Sequence, residues 1–469
     1  MSSPQFYDWV TALLKTIKDN RIAPPQAARW FFLACSLAWD ALQYASDDSL
    51  HAIDTSFQSV GKGARCGSNM LISFVFKAIH QSWSLLFSSY MRVPTTHIDA
   101  VWASQSSLIY PYPQVTSQLA IWMNRASIYL AARDNDGYKT ASTPPGPIIN
   151  NGHFIVSTGY SSPGVIQNLS TIPNMSKWTP IQTSGVTQSY LVPGWGNVAP
   201  IVNVSSQTDA IGTAFYPKSD AIHNNSVNDV LKISEALTDQ EKMIAEFWVG
   251  GANTVTPPGS WMFIASKIAQ YLKQDLLTQL SMFKYVSAAL FQAGISAWYL
   301  KWKYQQARPV QLIRYLHNGE TAPNWTGTID LGTWQPYQSL SGITPPHPDF
   351  VSGHSTFSSA AARALDLFLK TTSVPTIQFD SSDLLLLSPM FQSNIGKTCM
   401  NTFICYPGCS NYQPGVVPES GVTLSYNSWD EMANSAGISR IYGGIHVEAS
   451  NQGGLALGRM IGDNVFAAL

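Results

Sequence analysis

Residues 27–42, AARWFFLACSLAWDAL, decide the fold class, because their apolar side chains recur at helical spacing with no proline or glycine to interrupt them. Pro24-Pro25 just upstream is a helix-start signal. Working outward, residues 9–17 (WVTALLKTI) and 117–132 (SQLAIWMNRASIYLAA) carry the same period, so residues 4 to 135 read as packed helices. Helical spacing resumes near Val230 with LKISEALTDQEKMIAEFW. It continues in a long segment from Trp261 to about Leu316, another from Gly353 to Lys370, and a last one from His446 onward. Between Thr140 and Thr208 the only Asp, Glu, Lys or Arg is Lys177, in a stretch dense in Pro, Gly, Ser, Thr and Asn. Its aromatics and the run YLVPGWGNVAPI favour packing over solvation.

The expected fold is all-α: two packed helical bundles with a Pro/Gly/Ser-rich irregular insertion. The expected division is an N-terminal helical region over residues 1–139, the insertion over 140–229, and a C-terminal helical region over 230–469, in one compact domain. A net charge of −1 with 12% charged residues gives no electrostatic reason to expect nucleic acid or an anionic membrane as partner. The longest apolar runs, 30–39 and 70–76, fall short of the roughly 20 residues that cross a bilayer. The N-terminus has neither a basic start nor a continuous apolar run, so the expected location is cytoplasmic. Five cysteines are too few for a disulfide framework, leaving buried thiols or one loop disulfide among Cys399, Cys405 and Cys409. Asp134-Asn135-Asp136-Gly137 lacks the later acidic ligand of a calcium loop and reads as a polar turn.

Three pieces carry chemistry. WYLKWKYQQARP places Trp298, Lys301 and Arg308 at i, i+3 and i+10, one face of a continuous helix, with Pro309 ending or kinking it. Alone, this is as well read as a solvated basic face. In HPDFVSGHSTFSSAAARALDLFLK, Ser352-Gly353-His354 opens a strong helix former, where free backbone N–H groups, a small residue and a hydroxyl suit an oxyanion. The plainer reading is an ordinary serine N-cap with His347 and His354 as structural histidines. In SRIYGGIHVEASNQGGLALGR, Gly443-Gly444 separates Arg440 from His446 ahead of the last helix. Taken together, Lys301, Arg308 and Arg440 can neutralise three equatorial oxygens while two histidines stand above and below. That arrangement suits pentavalent vanadate and the transition state of phosphoryl transfer alike.

The series KWKYQQARP, SGH and SRIYGGIH, in this order and spacing, resembles the vanadium-dependent haloperoxidases and the acid phosphatases related to type 2 phosphatidic acid phosphatases. EFWVGGANTVTPPGSW and VPGWGNVAPI also look like stretches of bacterial haloperoxidase-like members. The resemblance implies vanadate as cofactor, with phosphate able to occupy the same site. It implies His446 as the vanadium ligand (or the nucleophile of a phosphatase), His354 as acid/base, and Lys301, Arg308, Ser352, Gly353 and Arg440 on the equatorial oxygens. Lys301 would also polarise peroxide. Trp298 looks like the Trp of fungal chloroperoxidases, and His347 like the His that algal bromoperoxidases carry, which implies bromide or iodide. The implied partners are hydrogen peroxide, halide and a small organic acceptor, with a homo-oligomer possible.

Two positions depart from the family. Gly250 and Ser260 stand where related enzymes usually carry Asp and His, so Glu246 or Asp349 would have to supply the carboxylate partner of His354. The alternatives are a soluble acid phosphatase using His446 as nucleophile and a non-catalytic oxyanion-binding homologue.

Overall fold

The computed structural model describes the chain except residues 1–3, 47–67, 110, 150–153, 157–173, 184–185, 252, 339–342, 379–385 and 387–399. Helices α1 (Phe6–Asp19), α2 (Pro24–Ser46), α3 (Ser68–Leu85), α4 (Thr96–Gln105) and α5 (Pro113–Arg133) form the N-terminal half. They are followed by α6 (Ser205–Phe215), α7 (Asp220–Glu235), α8 (Asp239–Phe247) and α9 (Thr256–Tyr271). The rest are α10 (Leu276–Tyr304), α11 (Pro309–Leu316), α12 (Gly353–Leu369), α13 (Trp429–Tyr442) and α14 (Glu448–Ala468). Strands occur only as short pairs or a small triplet among the described residues. The architecture is all-α, as the periodicity requires.

The helix starts follow local chemistry. Thr238 and Glu241 close a reciprocal capping box on α8, and the Asp275 carboxylate accepts from Thr278 N–H at 2.8 Å to start α10. The long helix α10 joins the two halves: one side packs on α2, another on α12 and α14. The main hydrophobic core is correspondingly continuous, running from Trp9 and Phe31 through Phe291 to Phe357 and Val465. A smaller cluster under α7 and α11 gathers Val227, Ile313 and Trp334.

Several expectations change. The loop-rich stretch gives way to α6 and α7 from Ser205 onward, ahead of the boundary at 229; Ser219 caps α7 by accepting from Ile222 N–H. The segment from Trp261 to Leu316 is three helices, broken between Tyr271 and Leu276 and again before Pro309. One helical segment, Met70–Met91, is long and apolar enough by length and composition to cross a membrane, which the shorter run at 70–76 did not suggest; 56% of its window is buried inside the protein. Cys35, Cys405 and Cys409 are buried free thiols, while Cys66 and Cys399 lie outside the described residues. In the 134–137 turn, Asp136 accepts from the buried Arg29 guanidinium at 2.8 Å, so this turn anchors α2.

Candidate functional site

Lys301 lies in the last turn of α10, where exposed carbonyls favour a cation. Its Nζ donates to the carbonyls of Pro348 at 2.7 Å and Asp349 at 2.9 Å. The helix stops three residues later at Tyr304, and the next residue, Gln305, has a left-handed φ of 44°. Arg308 therefore does not share a helix face with Trp298 and Lys301 as the i, i+10 spacing suggested. It is the N-cap of α11, preceding Pro309 at the first helical position. The loop-rich stretch pins this break: Trp178 N–H donates to the Gln305 carbonyl at 2.7 Å and Ala307 N–H to that of Ser176 at 2.9 Å. The turn brings Arg308 to His347 and His446 by another route.

The segment ahead of α12 is stitched on both sides. Asp349 N–H donates to the Gln306 carbonyl, and Ser352 N–H to that of Ser450 on α14, both at 3.0 Å. Ser352 is the N-cap of α12, its hydroxyl accepting from Ser355 N–H at 3.3 Å. The N–H groups of Gly353 and His354 stand in the first turn, where a helix has no internal acceptor for them. Gly353 lines the cavity at ordinary contact distance from Trp298, 3.5 Å from a would-be Cβ. At the end of α13, Gly444 takes φ +70° and a Cβ there would strike Trp334 and Pro336 at 2.9 Å, so the turn that delivers His446 needs glycine.

These groups converge. Arg308 donates through Nη1 to His446 Nε2 at 3.1 Å and to the Ile445 carbonyl at 2.6 Å. Through Nη2 it meets His347 Nδ1 at 3.0 Å, and through Nε the His347 carbonyl at 2.9 Å. The other face of His446 meets Asp349: Nδ1 pairs with Oδ1, and lies 3.2 Å from the Ser450 hydroxyl. Asp349 is fully buried and its Oδ2 has no protein partner among the described residues. Because Arg308 donates to Nε2 and Asp349 accepts at Nδ1, His446 is held as the Nδ1–H tautomer with its lone pair on Nε2. Arg440 donates to the carbonyls of Ala245 at 2.6 Å and Val249 at 3.5 Å. His354 Nε2 lies 3.2 Å from the same Val249 carbonyl. Trp298 donates from its indole N–H to Leu191, and its ring centre is 5.1 Å from that of His347.

Neither candidate carboxylate reaches His354. Asp349 serves His446, and Glu246 accepts from Tyr337 O–H at 2.7 Å, Asn411 N–H at 2.7 Å and the Ser410 hydroxyl. The reason lies at Gly250, whose φ is +51° and whose Cβ would come within 3.1 Å of His354 Nε2. A longer side chain at that position would face the imidazole directly. Burial, with Arg440 nearby, holds His354 well below the ordinary histidine range. His446 and His347 are likewise depressed, first by burial and then by the cations Arg308 and Lys301.

The charges favour an anion. Burial lowers Lys301 well below the usual amine range, with Arg308 adding to it, and brings Arg308 and Arg440 down to about 10. Burial also pushes Asp349 up to about 6 against the pull of Arg308 and Lys301. Arg440 lines a cavity of about 590 Å³ together with His347, His354 and His446, while Arg308 stands behind His347 and His446 and Lys301 behind the Pro348 and Asp349 carbonyls. An oxyanion there would offset the desolvation of the three cations, and their charge suits vanadate or phosphate. No cluster of three or more His, Cys, Asp or Glu exists among the described residues to hold a metal cation.

Of the residues named from the sequence, Trp298, His347, Gly353, His354, Arg440 and His446 line the cavity and Lys301, Arg308 and Ser352 do not; sequence reasoning missed Gln338, Asn411 and Tyr412, Asp349 as the partner of His446, and the mouth. That mouth includes Arg21, Ile22 and Pro24 from the α1–α2 turn, for which no motif gives a signal.

Comparisons with known proteins agree with this fold. Residues 281–469 match the family described as VCPO second helical-bundle domain. A vanadium chloroperoxidase of Curvularia inaequalis is 26% identical over 215 residues, covering 43% of this chain and 34% of that protein. The match therefore spans about a third of the relative's length. An apo-type bacterial vanadium-dependent chloroperoxidase superposes with a TM-score of 0.68 at 18% identity, covering 95% of both chains. A bacterial vanadium-dependent iodoperoxidase does so at 0.65 and 20% identity, covering 98% of this chain and 95% of that one.

Proposed function

We propose, on the premise that residues 281–469 belong to the VCPO second helical-bundle family and that the chain has the vanadium haloperoxidase fold, that this protein is a vanadate-dependent haloperoxidase. It oxidises bromide or iodide with hydrogen peroxide, and the hypohalous product halogenates a small organic acceptor. The observation that carries this is the meeting of Arg440, His347, His354 and His446 on one cavity, with the buried cations Arg308, bonded to His446 and His347, and Lys301 directly behind it.

Vanadate would be held by Lys301, Arg308, Arg440, Ser352 and Gly353 and ligated by His446, and when bound it supplies a Lewis acid that polarises peroxide. The protein's own groups do the rest. Asp349 keeps the His446 proton on Nδ1, so that Nε2 faces Arg308 and the cavity. Lys301 is braced by two carbonyls and offers its remaining N–H to an oxygen. His354, uncharged near neutral pH, takes the proton leaving peroxide and returns one to the departing oxygen. The choice of bromide or iodide rests on His347 beside Trp298.

The test is bromination of a dye by the purified chain with vanadate, peroxide and bromide, run beside phosphate-ester hydrolysis without vanadate. Vanadate-dependent bromination that disappears in His446→Ala supports the proposal. Ester hydrolysis alone, inhibited by vanadate, assigns a phosphatase, and silence in both assigns an oxyanion-binding protein without activity.

A further inference from the structure

The cavity is larger than its oxyanion floor needs. A four-oxygen anion at about 30 Å³ per water-sized atom takes roughly 120 Å³, against about 590 Å³ observed. The total lies in the range of small-molecule sites, about 300–1,000 Å³. The floor is carried by Trp298, His347, Gly353, His354, Arg440 and His446, whereas the outer wall comes from the α1–α2 turn, from Gly250, Gly251, Thr256 and Pro257, and from Pro345-Pro346. The α1–α2 turn thus adds an N-terminal wall to chemistry carried by the C-terminal half.

Three mouth residues are held in ways that favour a ligand over the fold. Arg21 ends α1 in a Schellman arrangement, with Ile22 N–H donating to the Ile17 carbonyl at 3.2 Å and Arg21 N–H to that of Lys18 at 3.1 Å. Its φ of 51° is left-handed, a position that glycine ordinarily fills. The arginine side chain is exposed and lines the cavity. Thr256, a β-branched residue at φ 68°, and Thr344 also line it. Both are buried, at 5% and 3% exposure, and neither hydroxyl has a protein partner among the described residues. Strained backbone and unpaired buried hydroxyls persist where something else repays them.

We propose that this mouth binds the organic acceptor itself, a phenolic carboxylate, with its carboxylate on Arg21 and its phenol oxygen toward Thr256 and Thr344. The inference rests on the haloperoxidase reading for the fate of the acceptor, not for its binding. Prolines 24, 257, 345 and 346 and Phe357 supply the apolar wall that a flat ring requires. An electron-rich ring is what an electrophilic halogen attacks. Halide gives two electrons to peroxide as the O–O bond breaks, yielding hypohalous acid and water with one added proton. The ring carbon then takes the halogen, and its proton leaves with the hydroxide as water.

The test is calorimetric titration of the vanadate-loaded full chain, without peroxide, with 4-hydroxybenzoate and with its methyl ester. Wild-type protein should bind the acid more tightly. Arg21→Gly should weaken the acid by about tenfold or more and the ester by less than about threefold, the scale of one charge-assisted hydrogen bond. Thr344→Val should weaken both ligands. Because glycine relieves the left-handed backbone and valine removes an unpaired hydroxyl, both variants should hold or raise the melting temperature. Equal affinity of wild type for acid and ester, no binding of either, or variants that melt earlier would overturn the proposal. Arg21-dependent binding in a protein that oxidises no halide would retire the haloperoxidase reading and leave the acid-binding mouth standing.

Discussion

Asp349 and His446, 97 residues apart in the chain, form a buried pair in which the carboxylate fixes the imidazole proton on Nδ1. The backbone of Asp349 does separate work: its carbonyl accepts from Lys301 and from Ser450. Asp349→Asn therefore keeps the backbone contacts and removes only the charge behind the ligand. Vanadate affinity should fall by about 10- to 100-fold, the usual loss for a partner that orients a ligating histidine. Titration of the variant by vanadium NMR checks this, and unchanged affinity would remove Asp349 from the site.

His354 has no carboxylate, and Gly250 occupies the position from which one would reach it. Gly250→Asp should place an anion beside the imidazole and raise its pKa, moving the acid limb of halide oxidation to higher pH by about one unit or more. The backbone is left-handed there and Pro257 lies 3.0 Å from the new Cβ, so the gain comes with a stability loss of about 1–2 kcal/mol. Rate profiles against pH, with thermal melts of both proteins, give the two numbers. A profile that does not move while the protein stays folded would show that His354 does not set the limb.

How much of this was legible depended on how local the cause was. Helix period named the fold, and the signals at Ser352 and Gly444 act within one turn, whereas Pro309, expected to end or kink the helix carrying Arg308, opens α11 instead. Arg308 does meet His446 and His347, but not by the helix face that its spacing suggested. Spacing alone extends α10 through it, whereas hydrogen bonds from Ser176 and Trp178 stabilise the break, and these come from a stretch whose composition says only that it is irregular. The pairing of Asp349 with His446 instead of His354 was equally invisible, because it depends on how α12 and α14 dock. Arg21 shows the limit: its left-handed φ is a property of the folded turn, and an arginine after a helix carries no mark of it.

The docking of α12 on α14 depends on a missing side chain. A Cβ at Gly458 would stand 2.3 Å from the Thr356 carbonyl and 2.8 Å from Ala360 N, both backbone atoms that cannot swing aside. Gly458→Ala should force the helices apart at a cost of about 1–3 kcal/mol. It should also weaken vanadate binding, because the shift moves the first turn of α12, which carries Ser352, Gly353 and His354. Denaturant unfolding and the same vanadium titration test both parts. A variant as stable as the wild type would show that the interface can absorb the methyl group.

Acid should unfold the protein partly through His223. This residue is buried under Gln306, whose side-chain nitrogen lies 3.1 Å from its Nδ1, and its Nε2 has no protein partner among the described residues. Burial lowers its pKa from 6.5 to about 4. The unfolded chain takes up the proton first, so the stability held by the neutral ring is complete above the unfolded pKa and is lost as pH falls from about 6.5 through about 4. The loss amounts to about 3 kcal/mol for this one group. The histidines of the cavity are depressed in the same direction, so the wild type alone cannot apportion the effect. Comparison with His223→Gln does: the variant should lose about 3 kcal/mol less between pH 7 and pH 4 in denaturant titrations. Parallel stability profiles for the two proteins would mean that His223 accepts its proton without leaving the folded state.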